Sequence, residues 1–81
     1  MFGVFAIESY SNGRVYIGQT NDIRKRLHFH NSGYVKSTSK DAPWRVIAME
    51  SFSTREQARW CEKQLKKSKG AREKWLKRNR L

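Results

Sequence analysis

The dipeptide Asn12-Gly13 stands between two apolar runs, Phe2 to Ile7 and Val15 to Ile17, and constrains this chain more than any other feature in it. Asn-Gly tolerates the positive φ angles that tight hairpins demand, so the two runs are expected to fold back on each other as antiparallel strands. Phe2 to Ile7 is apolar on both faces, which suits a central strand covered on both sides. With Asn12 and Gly13 as the two turn residues, Ile7 falls opposite Gly18, and Phe5, Ile7 and Ser9 share a face with Tyr16. Phe5 and Tyr16 thereby reach one surface.

The second strand feeds a helix. Thr20, Asn21 or Asp22 can cap it, it extends to about Ser32, and Gly33 is placed to end it in a left-handed turn. Arg26 and His30 lie one helical turn apart, on the side of Ile23 and Leu27 that must face the core. Tyr16, Arg26 and His30 can therefore converge where desolvated polar groups need partners. Tyr34 to Pro43 reads as a polar, basic loop. Ser37, Thr38, Ser39 and Lys40 offer hydroxyls and an ammonium of the kind that contact phosphates, with a plain solvated connection as the alternative. Trp44 to Phe52 has the β-branched and aromatic content of a third strand, with Pro43 at its entrance.

Thr54 to Lys67 reads as a second helix, with Ser53 or Thr54 as cap and Glu56 in the first turn. Ala58, Cys61 and Leu65 form its core stripe, and Glu62 lies on the edge of that stripe with Lys66 as its natural i,i+4 mate. Trp60 points nearly opposite and is expected to pack against Trp75 or Leu76, base stacking being the alternative. Gly70 is expected to break the helix. A last helix, Ala71 to Arg80, would be docked by Trp75 and Leu76.

Composition narrows the partner. Residues 1–81 make one small domain, and 18 Lys+Arg against 7 Asp+Glu leave a formal charge of +11. That skew calls for a polyanion, and nucleic acid is favoured over an anionic membrane because no helix shows a wide lipid-facing apolar side. From Lys63 to Leu81 the chain carries nine Lys/Arg and one acid, Glu73. The single cysteine, Cys61, excludes an internal disulfide and, with His28 and His30 on opposite sides of a helix, excludes a zinc cage. The apolar start is too short for a secretory or spanning segment, so a cytoplasmic, nucleic-acid-associated protein is expected.

Gly3-Val4-Phe5, Tyr16-Ile17-Gly18, Arg26-Leu27, His30-Asn31-Ser32-Gly33, Pro43-Trp44, Ala58 and Glu62 follow one another in an order that resembles the GIY-YIG nuclease domain, above all its small stand-alone members. The resemblance runs from Phe2 to about Gly70. It implies an α/β domain of the α+β type, with a three-stranded antiparallel sheet flanked by helices. It also implies phosphodiester hydrolysis assisted by one divalent ion, Mg²⁺ or Mn²⁺, without a small-molecule cofactor. By position, Tyr16 is the tyrosine of the second motif, Arg26 the helix arginine, His30 the histidine one turn later and Glu62 the metal-binding glutamate. The first motif departs from the family: Phe5 stands where a tyrosine is usual and lacks its hydroxyl. The asparagine that some members supply after the glutamate has no counterpart.

The chemistry suits these residue types. Arg26 can grip two phosphate oxygens with its planar fork. Glu62 offers a hard oxygen, and Mg²⁺ commonly takes only one or two carboxylates beside water and phosphate. Tyr16 is the first candidate to deprotonate water and His30 the second. A phenolate at neutral pH costs about 4 kcal/mol unless nearby cations lower its pKa. Gly18 beside the site, and Lys36, Lys40, Lys66, Lys67, Lys69 and Arg72 around it, are the expected substrate contacts. The expected activity is metal-dependent DNA endonuclease with low sequence specificity, flexible single strands and nicked or branched structures being candidate substrates. The alternative is a nucleic-acid-binding module that kept the fold and lost turnover.

Overall fold

The computed structural model describes residues 2–32 and 40–81. The Gly33 cap and most of the Tyr34 to Pro43 loop, Lys36 included, lie outside them. Three strands, β1 (Phe2–Ser9), β2 (Val15–Thr20) and β3 (Trp44–Phe52), form an antiparallel sheet in the order β2-β1-β3. The doubly apolar run is thus the central strand. Its side chains divide between two cores, as the alternation of a strand requires. Val4 and Ala6 join Ile17, Ile47, Ala48, Ala58, Leu65 and Trp75 on one face, while Phe5 and Ile7 join Trp44, Ile23 and Leu27 on the other.

Helix α1 (Ile23–Ser32) covers the Phe5 face. Helices α2 (Arg55–Lys67) and α3 (Lys69–Asn79) cover the Val4 face. The caps follow local chemistry. Asp22 accepts from the backbone N–H of Lys25 at the start of α1, and Thr54 and Gln57 close a reciprocal capping box on α2. At the far end of α1, Asn31 grips the backbone of Trp44, accepting from its N–H at 2.6 Å and donating to its carbonyl at 3.2 Å. One amide therefore fixes the helix end to the start of β3. Among the described residues no helix is long and apolar enough to cross a membrane.

Three expectations need correction. The hairpin loop has four residues, because Ser9 N–H donates to the Arg14 carbonyl and Gly13 N–H to the Ser9 carbonyl. Only Gly13 takes a positive φ, of 75°, while the Asn12 side chain accepts from Arg14 N–H and donates to Asp41 at 2.6 Å. Ile7 consequently faces Tyr16, and Phe5 faces Gly18. The register differs by two residues from a two-residue turn, so every side chain keeps its face.

The break between the last two helices is at Ser68 rather than Gly70. Ser68 adopts an extended backbone, donates its N–H to the Gln64 carbonyl and accepts from Ala71 N–H, so it ends α2 and caps α3. Gly70 falls inside the first turn of α3. Trp60, finally, is 67% exposed and does not pack away, whereas Trp75 is buried with its Nε1–H donating to Glu50 at 2.8 Å.

Candidate active site

β2 is an edge strand, so elements from opposite sides of the sheet can meet around it. A cleft of about 500 Å³ opens there, and its walls include Tyr16 and Gly18 from β2, Arg26 from α1, and Arg55, Arg59 and Glu62 from α2. Tyr16, Gly18, Arg26 and Glu62, which the sequence singled out, therefore share one hollow. Arg55 and Arg59 were missed. They precede Glu62 by seven and three residues and so lie on its helical stripe, which is the signal that would have found them.

Gly18 is glycine for a steric reason. A Cβ there would sit 2.6 Å from Phe5 Cζ and 3.2 Å from Tyr16 Cε1. Phe5 is fully buried and outside the cleft lining, its ring tip pressed toward the bare backbone of Gly18. Its ring centroid is 6.4 Å from that of Tyr16 and 6.2 Å from that of His30, and the Tyr16 and His30 rings are 4.9 Å apart. The three rings form a packed support under the cleft, with Tyr16 alone of them reaching its wall.

His30 is wholly buried. Desolvation, and after it the Arg26 guanidinium, push its pKa below the usual imidazole value, so the neutral ring is favoured. Arg26 is half-buried, and its Nε is shut off from solvent without a hydrogen-bond partner among the described residues. A buried unsatisfied donor costs about 1–3 kcal/mol, and an anion in the cleft would relieve it. Glu62 keeps its side chain 20% exposed and pairs with Lys66 at 3.0 Å, while Lys66 Nζ also lies 5.5 Å from the centroid of the Tyr16 ring.

The remaining basic candidates separate. Lys66 and Lys67 line a groove beside the cleft. Lys40 and Lys69 are exposed and do not line it. Arg72 is half-buried and donates to the Leu65 carbonyl at 3.3 Å, tying α3 to the end of α2. Among the described residues no group of three or more His, Cys, Asp or Glu gathers to hold a metal ion. Glu62 is the carboxylate in the cleft wall, a donor set that fits a hard cation completing its shell with water and phosphate.

A cationic hollow with one carboxylate, set against the edge of a three-stranded sheet, defines a small α+β domain suited to holding an anionic group. The chain belongs to the GIY-YIG family, a family of nucleases, since the GIY-YIG catalytic domain matches residues 1–77. It is similar to UPF0213 proteins. One from Bacillus licheniformis is 36% identical over 78 residues, covering 94% of this chain and 80% of the relative. One from Streptococcus pneumoniae serotype 4 is 41% identical over 59 residues, 72% of this chain, and the match spans 60% of that relative's length. The solution NMR structure of a UPF0213 protein from Bacillus halodurans superposes with a TM-score of 0.55 at 31% identity, covering 91% of this chain and 81% of the other.

Proposed function

We propose that this domain is a metal-dependent endonuclease that hydrolyses phosphodiester bonds in DNA. The observation that carries the reading is the buried Arg26 Nε, unpartnered among the described residues, in a cleft shared with Glu62 and Tyr16. Arg26 clamps the attacked phosphate and offsets the charge that builds on it. Arg55 and Arg59 hold neighbouring phosphates along the same wall. Glu62 is the residue that would hold the divalent ion, which when bound supplies Lewis-acid polarisation of the phosphate.

Tyr16 is the group that takes the proton of the attacking water, its own phenolic proton being passed on as it does so. His30, whose neutral form is favoured and whose ring lies tilted against that of Tyr16, accepts or returns that proton from beneath. Lys66 holds the Glu62 carboxylate until substrate and cation enter, then turns to the phosphate.

Purified protein incubated with single-stranded, duplex and branched DNA, with Mg²⁺ or Mn²⁺ and then with chelator, tests this. Metal-dependent cleavage that disappears in Glu62→Ala, with binding retained, is expected. Binding without cleavage under every condition refutes it.

One observation favours a second reading, a nucleic-acid-binding module without turnover: Phe5, with no hydroxyl, occupies the first-motif position next to Gly18. Phe5→Tyr distinguishes the two. A raised rate identifies the missing hydroxyl as limiting, and an unchanged rate removes that explanation.

A further inference from the structure

Trp60 is the large side chain that the nuclease chemistry leaves unused. Of the three tryptophans, Trp44 and Trp75 are buried at 4% and 1% exposure, while Trp60 is 67% exposed. It stands on α2 in a groove of about 680 Å³ lined by Arg59, Trp60, Glu62, Lys63, Lys66 and Lys67. Arg59 and Glu62 also line the cleft, so groove and cleft adjoin along this stretch of helix. The groove holds four cations, and its one carboxylate is already paired with Lys66. Trp60, Lys63 and Lys67 fall at i, i+3 and i+7, which places indole and ammonium groups on one helical stripe.

An indole two-thirds exposed, with cations along one side of it, is complementary to a base with its flanking phosphates. It is poorly matched to an apolar protein surface, whose docking would leave the lysines desolvated. We propose that Trp60 is the stacking platform of a nucleotide subsite beside the cleft. It takes an unpaired base of single-stranded nucleic acid, with Lys63, Lys67 and Arg59 holding the adjoining phosphates. A continuous duplex keeps its base faces stacked on one another and cannot offer one to the indole. The subsite therefore selects unpaired strands. It rests on the nuclease reading only in that the stacked base belongs to the strand lying in the cleft.

Since Trp44 and Trp75 are buried, ligand-induced quenching of tryptophan emission reports on Trp60. Titrations with oligo(dT), oligo(U) and a blunt DNA duplex of equal phosphate number, all in chelator, measure binding apart from turnover. The expected result is quenching by either single strand, which also tells DNA from RNA as the better source of the base, and little quenching by duplex. Trp60→Ala should lower single-strand affinity roughly tenfold, leave duplex affinity nearly unchanged, and be largely rescued by Trp60→Phe. Equal quenching by duplex, unchanged single-strand affinity in Trp60→Ala, or a Trp60-dependent dimer with no response to oligonucleotide would overturn the proposal. Quenching without cleavage in metal would sink the nuclease and keep the subsite, and cleavage without quenching the reverse.

Discussion

Gly18→Ala is the substitution that most directly probes how the cleft is built. In an unobstructed strand, replacing glycine by alanine stabilises a protein by about 0.4–1 kcal/mol, because the unfolded chain loses freedom. Here the added methyl would meet Phe5 Cζ at 2.6 Å, Phe5 Cε1 at 3.0 Å and Tyr16 Cε1 at 3.2 Å. Phe5 has no exposed side to retreat to, as it is fully buried against Ile7 and Trp44. Overpacking of that kind costs about 1–3 kcal/mol, enough to reverse the sign. For a domain of this length a loss of 1 kcal/mol lowers Tm by about 4–8 °C, so thermal unfolding followed by circular dichroism resolves the effect. The displaced Tyr16 ring should also reduce cleavage more than binding. In a Phe5→Leu background, which removes the ring tip, the same Gly18→Ala change should cost little, giving a coupling of about 1 kcal/mol or more. A neutral or stabilised Gly18→Ala variant, or additive effects in the double variant, would refute the steric account.

Two further perturbations test the supports of the site. Burial and Arg26 lower the pKa of His30, so below about pH 6.5 the unfolded chain takes up a proton that the folded chain resists. Stability should therefore fall as pH drops from about 6.5 toward the depressed folded value, and His30→Phe should flatten that part of a Tm-against-pH profile; an unchanged slope would contradict it. Asn31→Ala removes both bonds to the Trp44 backbone, and a loss of about 1–3 kcal/mol in denaturant unfolding is expected, with faster amide exchange at Trp44.

Much of this architecture is legible in local sequence because local physics decides it. The doubly apolar run of β1, the Asp22 and Thr54 caps and the Ala58-Leu65 stripe each express one short-range rule, and the structure obeys them. The hairpin register is different. Asn12 looks like a turn residue, yet its amide is engaged by Asp41, 29 residues on, and the same carboxylate takes Arg14 at 2.7 Å while Ser9 donates to the Asp41 carbonyl. A long-range polar knot thus outbids the two-residue turn. At the α2–α3 junction two local signals compete, and the serine that can satisfy N–H groups outranks the glycine that merely permits a bend. Tyr16, Arg26 and Glu62 come from three elements on both sides of the sheet. No periodicity within one segment reveals that they meet, and the ordered spacing of the family motifs is what linked them.

The Glu62–Lys66 contact could be taken as a structural ion pair that leaves the carboxylate unavailable. Its magnitude argues otherwise. An i,i+4 pair with the lysine half exposed is worth about 0.3–0.5 kcal/mol, less than thermal energy. A divalent cation beside the same carboxylate interacts more strongly at any effective dielectric, because the Coulomb term scales with charge. Lys66 would lose little on release, since its ammonium already lies over the Tyr16 ring and beside the groove that leads to Trp60. The pair therefore keeps the Glu62 carboxylate at the cleft wall while opposing cation entry only weakly. The buried Arg26 Nε points to the same conclusion from the other wall, because an unsatisfied donor is cheapest to retain where an anion regularly arrives to meet it.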